Sequence, residues 1–409
     1  MNGRLGATFF LLATFAASLA LSDVVEAQVQ TPTEAAPLQF GVVSLYPTLQ
    51  IIDAGKDSNI FDDGEDPKED YIFTAASRIV GLAKLGANEL LFSAGNDYVW
   101  FREFADQRST NNRHAVRLNM SALRVKPFVG VERQHTRERP NSEIDARARR
   151  LGKAATAGID VALADRTSFT ASVRFDDLKY DEGQRYRGED LAHALNRTGR
   201  SMTAGVRYEL TPLTRLLMAV NYAEDDFPSS HVRDAKWYSI TPTFEFNPDA
   251  VVRGQFSAGY QKFMPADPTL SDYQGFVYDG GVSWTLFGRT TFALNGGRGT
   301  RYSYQETEPY YVMTGGRLNV VHHVMGPVDL IGGADYEHMA YRWHRGVSVP
   351  DGQLDYAHTL TEVSGGVGVN IVRGFKFALR AERTRRRSPE NPLQDFHRTR
   401  LVTSTTIGY

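Results

Sequence analysis

Charged side chains recur at alternate positions along this chain. "TSFTASVRFDD", beginning at Thr167, carries Arg174 and Asp176; "MTAGVRYEL" carries Arg207 and Glu209; "WYSITPTFEF" carries Glu245. Arg253, Asp279, Arg317, Asp335, Glu337, Lys376, Arg380 and Glu382 continue the series, with Asp97, Asp160 and Glu362 among the further acids. Carboxylates and guanidinium groups can do acid–base work, hold a cation, or line a wet passage. Mixed signs on one face suit passage of a hydrated, neutral or modestly charged chain better than a strongly ion-selective pore, and Tyr and Trp among them could stack on sugar rings. The simpler reading is that opposite charges pair across neighbouring strands and stiffen a water-facing wall.

The remaining clusters give little support to catalysis. His322 and His323 are adjacent, so on a strand they point to opposite faces, which is wrong for one metal; no His-Glu-x-x-His occurs. "DDGEDPKED" is rich in carboxylates but lacks the glycine and terminal Glu spacing of an EF-hand, and reads as an acidic surface loop. "GGVGVN" at Gly365–Asn370 lies on an alternating stretch with no helix after it, so it is not a dinucleotide loop. "NRT" at Asn196 is a sequon that means little in a bacterial host. Several Ser and His are present without a recognisable nucleophile motif. No enzyme activity, cofactor or metal is expected. "RTRRRS" at Arg383–Ser388 is the densest basic cluster; it is either a solvated loop base or a contact for lipopolysaccharide phosphates.

The elements that carry these charges have a period of two. In "TSFTASVRFDD", Phe169, Ala171, Val173 and Phe175 alternate with Ser168, Thr170, Ser172, Arg174 and Asp176. Met202, Ala204, Val206, Tyr208 and Leu210 alternate in the same way with Thr203, Gly205, Arg207 and Glu209. Near the end, Phe375, Phe377, Leu379 and Ala381 alternate with Lys376, Arg380, Glu382 and Thr384. These are strands, not helices. Short turns such as "LADRT", "LTPLT", "LFGRT" and "MGPVD" alternate with longer polar stretches. The latter include "DAGKDSNIFDDGEDPKED", "HTRERPNSEID", "YDEGQRYRGEDLAHALN", "WHRGVSVPDGQ" and "RRRSPENPLQD". A meander with its short turns at one end is the layout of an outer-membrane barrel.

About 18 strands are expected, with 16 possible because "GVVSLYPTLQII" and "YIFTAASRIV" alternate poorly. With Phe169 and Phe175 against lipid, Arg174 looks into the lumen; the reverse arrangement would cost about 2–4 kcal/mol near mid-bilayer.

Composition and termini agree with this fold class. Arg4, the apolar run Leu5–Leu21 and "VEA" ending at Ala27 read as a secretory signal peptide over residues 1–27. A short periplasmic segment, 28–37, and one barrel domain, 38–409, are expected to follow. That segment is too short for a plug domain. No later apolar run reaches the ~20 residues of a spanning helix. Cysteine is absent, so neither disulfides nor thiolate metal sites are available. The 46 basic and 48 acidic residues leave a net charge of −2, which gives no support to nucleic-acid binding. Ile407 and the terminal Tyr409 resemble the signal read by the barrel-insertion machinery.

Two segments carry a family resemblance. One is "DAGKDSNIFDDGEDPKEDYIF". The other runs from "FMPADPTLSDYQGFVYDGG" through "RTTFAL" and a Tyr-Ser-Tyr strand to "YYVMTGGRLNVV". Both look like the β-barrel porin family of outer-membrane proteins often tied to exopolysaccharide or capsule biosynthesis. The resemblance implies export or anchoring of surface polysaccharide, with periplasmic export proteins as partners; it supplies no catalytic motif.

The sequence therefore points to a bacterial outer-membrane, all-β, antiparallel up-and-down barrel in contact with lipid and lipopolysaccharide. The leading function is exopolysaccharide export or biosynthesis, as a passive conduit or surface component. A general diffusion porin for small hydrophilic solutes and a closed structural or adhesive barrel are the alternatives. Inward folding of the stretch Asp53–Asp70 would favour the closed form.

Overall fold

The computed structural model describes residues 38–247, 250–342, 356–372, 374–389 and 392–408. The expected signal peptide and the segment 28–37, the whole of "WHRGVSVPDGQ" and Tyr409 lie outside the described residues. A closed antiparallel barrel of 18 strands forms the molecule. Its first half comprises β1 (Val43–Asp57), β2 (Asp70–Leu85), β3 (Asn88–Phe101), β4 (Ser109–Asn119), β5 (Val125–Glu138), β6 (Ala148–Ala164), β7 (Thr167–Tyr180), β8 (Arg197–Thr211) and β9 (Thr214–Asp226). The second half comprises β10 (Ala235–Phe246), β11 (Val252–Pro265), β12 (Tyr273–Leu286), β13 (Thr290–Tyr302), β14 (Tyr310–Met325), β15 (Val328–Arg342), β16 (Ala357–Val372), β17 (Phe375–Arg387) and β18 (Phe396–Gly408). Each strand pairs with the next, and β18 returns to β1 through Leu49↔Ile407 and Asp57↔Arg400. Closure leaves no unpaired edge, as a wall in hydrocarbon requires.

The alternation read from the sequence decides the two faces. Phe175 is 58 % exposed and Val220 53 %, with Met202, Met218, Ile240, Phe256, Val363 and Leu401 also exposed. They form an apolar outer band of the kind that meets lipid. The poor alternation of β1 has a local cause. Between Ile51 and Ala54 the register shifts, and Asp53 takes a left-handed φ of 56°. This bulge inserts one residue and swaps the faces, so Leu49 and Ile51 point out while Asp53 and Asp57 both point in. The tight turn after β14 uses a left-handed glycine, Gly326 at φ 55°, which side-chain-bearing residues adopt only at a cost.

Buried apolar clusters gather at the end that carries the long connections. One joins Ile144, Leu178, Tyr180, Tyr186, Leu191, Leu195 and Tyr304; a second joins Tyr311, Met313, Met339, Tyr341 and Tyr356. These residues lie inside the barrel mouth, beneath its loops. A five-residue helix, Leu191–Leu195, contributes to the first cluster and is capped by the Asp190 carboxylate on the amides of Ala192 and His193. Strand β13 ends at Tyr302, so Ser303 and Tyr304 of the expected Tyr-Ser-Tyr strand belong to the following loop. There they meet the bar described next.

Candidate functional site

Strand pairing brings inward-facing charges of opposite sign together. Arg174 on β7 donates to Asp176 two residues along (3.0 Å) and to Glu132 on β5 (3.2 Å). Arg207 on β8 reaches Glu245 (3.1 Å) and Asp160 (3.3 Å). Arg317 and Asp335 face each other on β14 and β15, with Nε at 2.8 Å from the carboxylate. Lys376 sits 3.4 Å from Asp329, which also receives Asn370 at 2.9 Å and lies 3.1 Å from His323 Nδ1. Glu382 is shared by Arg380 and Arg400, and Arg400 also reaches Asp53 at 2.8 Å. The partly hydrated pairs, such as those of Arg207, contribute at most about 1 kcal/mol each, whereas the buried Asp329 and Glu382 depend on their partners to remain charged. Their effect is a polar wall of interleaved signs.

Of the other expected lumen residues, Glu209 and Arg253 lie at its edges and Asp279 lies midway along β12. Glu209 pairs with Arg215 (3.4 Å) beside a short turn, half exposed. Arg253 reaches the Ala250 carbonyl (3.4 Å) next to another. Asp279 sits opposite Ser257 and Gly297, and its carbonyl accepts the Ser257 hydroxyl at 2.9 Å. Ile407 faces outward on the last strand.

The lumen is not empty at its loop end. The connection between β5 and β6, residues 139–147, crosses it. Asn141 Oδ1 accepts from the amides of Glu143 and Ile144 (both 3.0 Å), a local turn that aims the next side chains across the barrel. Ile144 is wholly buried in the apolar cluster under the mouth. Asp145 pairs with Arg386 of β17 at 2.5 Å and accepts the Tyr186 hydroxyl at 2.8 Å. The Ser142 carbonyl also receives Arg386, and its side chain lies beside Glu337 of β15. Glu143 accepts the Ser303 hydroxyl (2.6 Å) and the Tyr304 amide (3.4 Å).

Strand β15 stands half-way round the ring from β6, so the bar is anchored on opposite walls. Strands ~4.8 Å apart and tilted by ~40° close an 18-strand ring roughly 35 Å across. Loop and long wall side chains together span that width.

Neighbouring loops brace the bar. Arg139 donates to the Ile60 carbonyl (2.7 Å) and pairs with Asp62 (3.0 Å). Asp62 also meets Arg398 of β18 (3.3 Å). The buried Arg233 donates to the carbonyls of Ser303 and Tyr304, both at 2.8 Å. Arg147 donates to the Gln107 and Arg137 carbonyls, each at 2.8 Å. Burial pushes the Glu143 carboxyl up to about 7, against the pull of its hydrogen bonds and of Arg233. Burial likewise raises Asp145, opposed chiefly by Arg386.

The stretch proposed from sequence for inward folding, Asp53–Asp70, is not the one that crosses. Its first five residues continue β1 and Asp70 opens β2. What remains supports the bar from one side, through Ile60 and Asp62. The carboxylates of "DDGEDPKED" serve their own loop: Asp63 accepts from the amides of Glu65 (2.8 Å) and Asp66 (3.1 Å), and Asp66 pairs with Lys68. Among the described residues no three His, Asp or Glu are placed to hold a metal. His322 bonds Thr290 (2.9 Å) while His323 meets Asp329 on the other face. Gly365–Asn370 lies within the β16 ladder. Asn196 holds the Tyr180 amide with its side chain at 2.7 Å.

Glu143, Asp145, Arg233, Ser303, Arg398 and Arg400 were not singled out from the sequence. For Arg398 and Arg400 a signal existed, since "HRTR" places both on one face of the last strand. For the loop residues nothing local marks them.

Residues 31–408 match the model of a family described as putative beta-barrel porin 2. No match is found among curated proteins. Among solved structures, the chain is similar to OpdO of Pseudomonas aeruginosa, at 12 % identity and a TM-score of 0.48, covering 89 % of this chain and 97 % of that one. It is also similar to OccK2 (OpdF) of the same organism, solved in complex with glucuronate, at 10 % identity and TM-score 0.48, covering 90 % and 98 %. The siderophore receptor PirA from Pseudomonas aeruginosa is similar at 10 % identity and TM-score 0.42, covering 93 % and 81 %.

Proposed function

We propose, on the premise that the chain belongs to the putative beta-barrel porin 2 family, that this outer-membrane barrel is a size-restricted diffusion channel for small hydrophilic solutes. The observation that carries the reading is the bar 139–147, held on the far wall by Arg386 and Glu337. An extended polysaccharide would need that bar displaced, at the cost of uncovering buried ionic and apolar contacts. Small solutes need only the hydrated space beside it. The wall at Arg174, Arg207 and Arg317 sets these three arginines among five carboxylates, Glu132, Asp160, Asp176, Glu245 and Asp335, and so favours neutral or weakly cationic solutes over anions. Export of exopolysaccharide, implied by the family resemblance, is the less favoured role. No chemistry on a substrate is assigned to any residue.

Swelling of liposomes carrying the refolded protein tests this, using sugars graded from monosaccharide upward. Entry of the smallest and exclusion of long oligosaccharides is expected. Equal entry of long chains would replace the reading by an open conduit, and entry of none by a closed barrel.

A further inference from the structure

"RTRRRS" is divided by the strand that carries it. Arg386 points inward to the bar, and with it Lys376, Arg380, Glu382 and Thr384 share the inner face of β17. Arg383, Arg385 and Arg387 occupy the alternate positions and continue upward the outer face begun by the exposed Phe377 and Leu379. All three are exposed, and among the described residues none of their side chains has a hydrogen-bond, ion-pair or ring partner.

The surroundings on that outer face are basic or hydroxylic. Arg387 stands beside Thr359, Arg385 beside Thr361 and His397, and Arg383, at the lower end, beside Thr399 and the apolar Val363. His338 flanks Thr359 on the next strand. On the other side, beyond β18, Lys56 projects outward and already holds Glu69 at 2.9 Å. No acidic side chain of β16 or β18 shares the face with the arginines: Glu362 lies on the inner face, taken by Thr384. Three guanidinium groups about 7 Å apart along one strand, with no acidic partner among the described residues, repel one another unless an anion lies among them.

Directly below this ladder the outer face becomes apolar. Val367, Leu379 and Leu401, on three adjacent strands, are exposed there. The ligand that fits is therefore amphiphilic, with phosphates at the level of the arginines and acyl chains against the band below. The end carrying the long connections faces the outside, where the outer leaflet is lipopolysaccharide. We propose that the outer rim of β16–β18 binds the phosphorylated headgroup of lipid A, with Arg383, Arg385 and Arg387 on its phosphates. Guanidinium forks match phosphate oxygens in bidentate pairs, which an ammonium cannot do.

Binding of bisphosphorylated lipid A to the full refolded chain in detergent micelles tests the site. The variant R383Q/R385Q/R387Q is compared with the unaltered protein and with R133Q, which removes an exposed outward arginine of β5. Correct folding of each is read from heat-modifiable gel migration. Affinity is expected to fall roughly tenfold or more in the triple variant, to fall with added salt in the unaltered protein, and to stay unchanged in R133Q. Unchanged affinity in the triple variant overturns the proposal. So does equal, equally arginine-dependent binding of phosphatidylglycerol, which would make the rim a general anionic-lipid surface. Should the triple variant not refold, lipid A stripped of both phosphates is offered to the unaltered protein. Lost binding then supports the site, and binding as tight as before overturns it.

Discussion

Replacing Asp145 by alanine should free the bar from the far wall. Its carboxylate is 2.5 Å from a guanidinium of Arg386, a residue only 1 % exposed, and also holds the Tyr186 hydroxyl at 2.8 Å. The substitution leaves Arg386 buried with the Ser142 carbonyl and without its paired carboxylate, the Asp62 carboxylate acting on it only from farther away. Removing one member of such a pair costs about 3–5 kcal/mol. At about 1.4 kcal/mol per tenfold change, docking of residues 139–147 should weaken by roughly two to three and a half orders of magnitude. The barrel wall has its own complete hydrogen-bond ladder, so the loss appears as local release of the loop, not as global unfolding.

In planar bilayers the unaltered protein should give small conductance steps, and Asp145→Ala larger steps with frequent flicker. Asp145→Leu combined with Arg386→Met removes both charges together, and an apolar pair of similar bulk should restore the small steps. If Asp145→Ala migrates as a folded barrel yet conducts as the unaltered protein does, the bar is not the barrier and the reasoning fails.

The Glu143 carboxyl, held up near 7 by burial, binds its proton more tightly with the loop docked than released. Docking should be strongest at acid pH and weaken as pH rises from the ordinary carboxylate range to about 7, by up to about 1.4 kcal/mol per pH unit, levelling off above. Channel opening measured across that window should therefore rise with pH, and Glu143→Gln should flatten the profile. Val220→Arg places a cation on the outer band near the middle of β9 and should lower urea stability in lipid by about 2–4 kcal/mol; Asn221→Arg, on the inner face next to it, should cost far less. Arg207→Gln breaks two partly hydrated pairs, to Glu245 and Asp160, and should lower stability by at most about 2 kcal/mol, with a modest shift toward cation permeability in a salt gradient.

Much of the wall was legible because a period of two ties each residue to one face. Arg174 and Phe175 are separated by a single peptide, and the strand geometry alone sends one to each side. Where the period broke, as in β1, the bulge at Ile51–Ala54 was the reason: two residues opposing one swap the faces without any local mark in "LQIIDAG". The bar was hidden for a different reason. "HTRERPNSEID" reads as a polar surface loop because nothing in it signals burial. Its acids become buried only through partners far along the chain, Arg386 lying 241 residues from Asp145 and Ser303 lying 160 from Glu143. The basic cluster had a similar ambiguity. Its composition did not say that Arg386 turns inward while Arg383, Arg385 and Arg387 turn outward, although the strand period does.

Single-channel conductance of the refolded protein, recorded with and without added long-chain polysaccharide, tests the central claim most directly. The account predicts small steps that the polymer leaves unchanged. A large, steady conductance reversibly blocked by the polymer would contradict it, because no bar could then span the lumen.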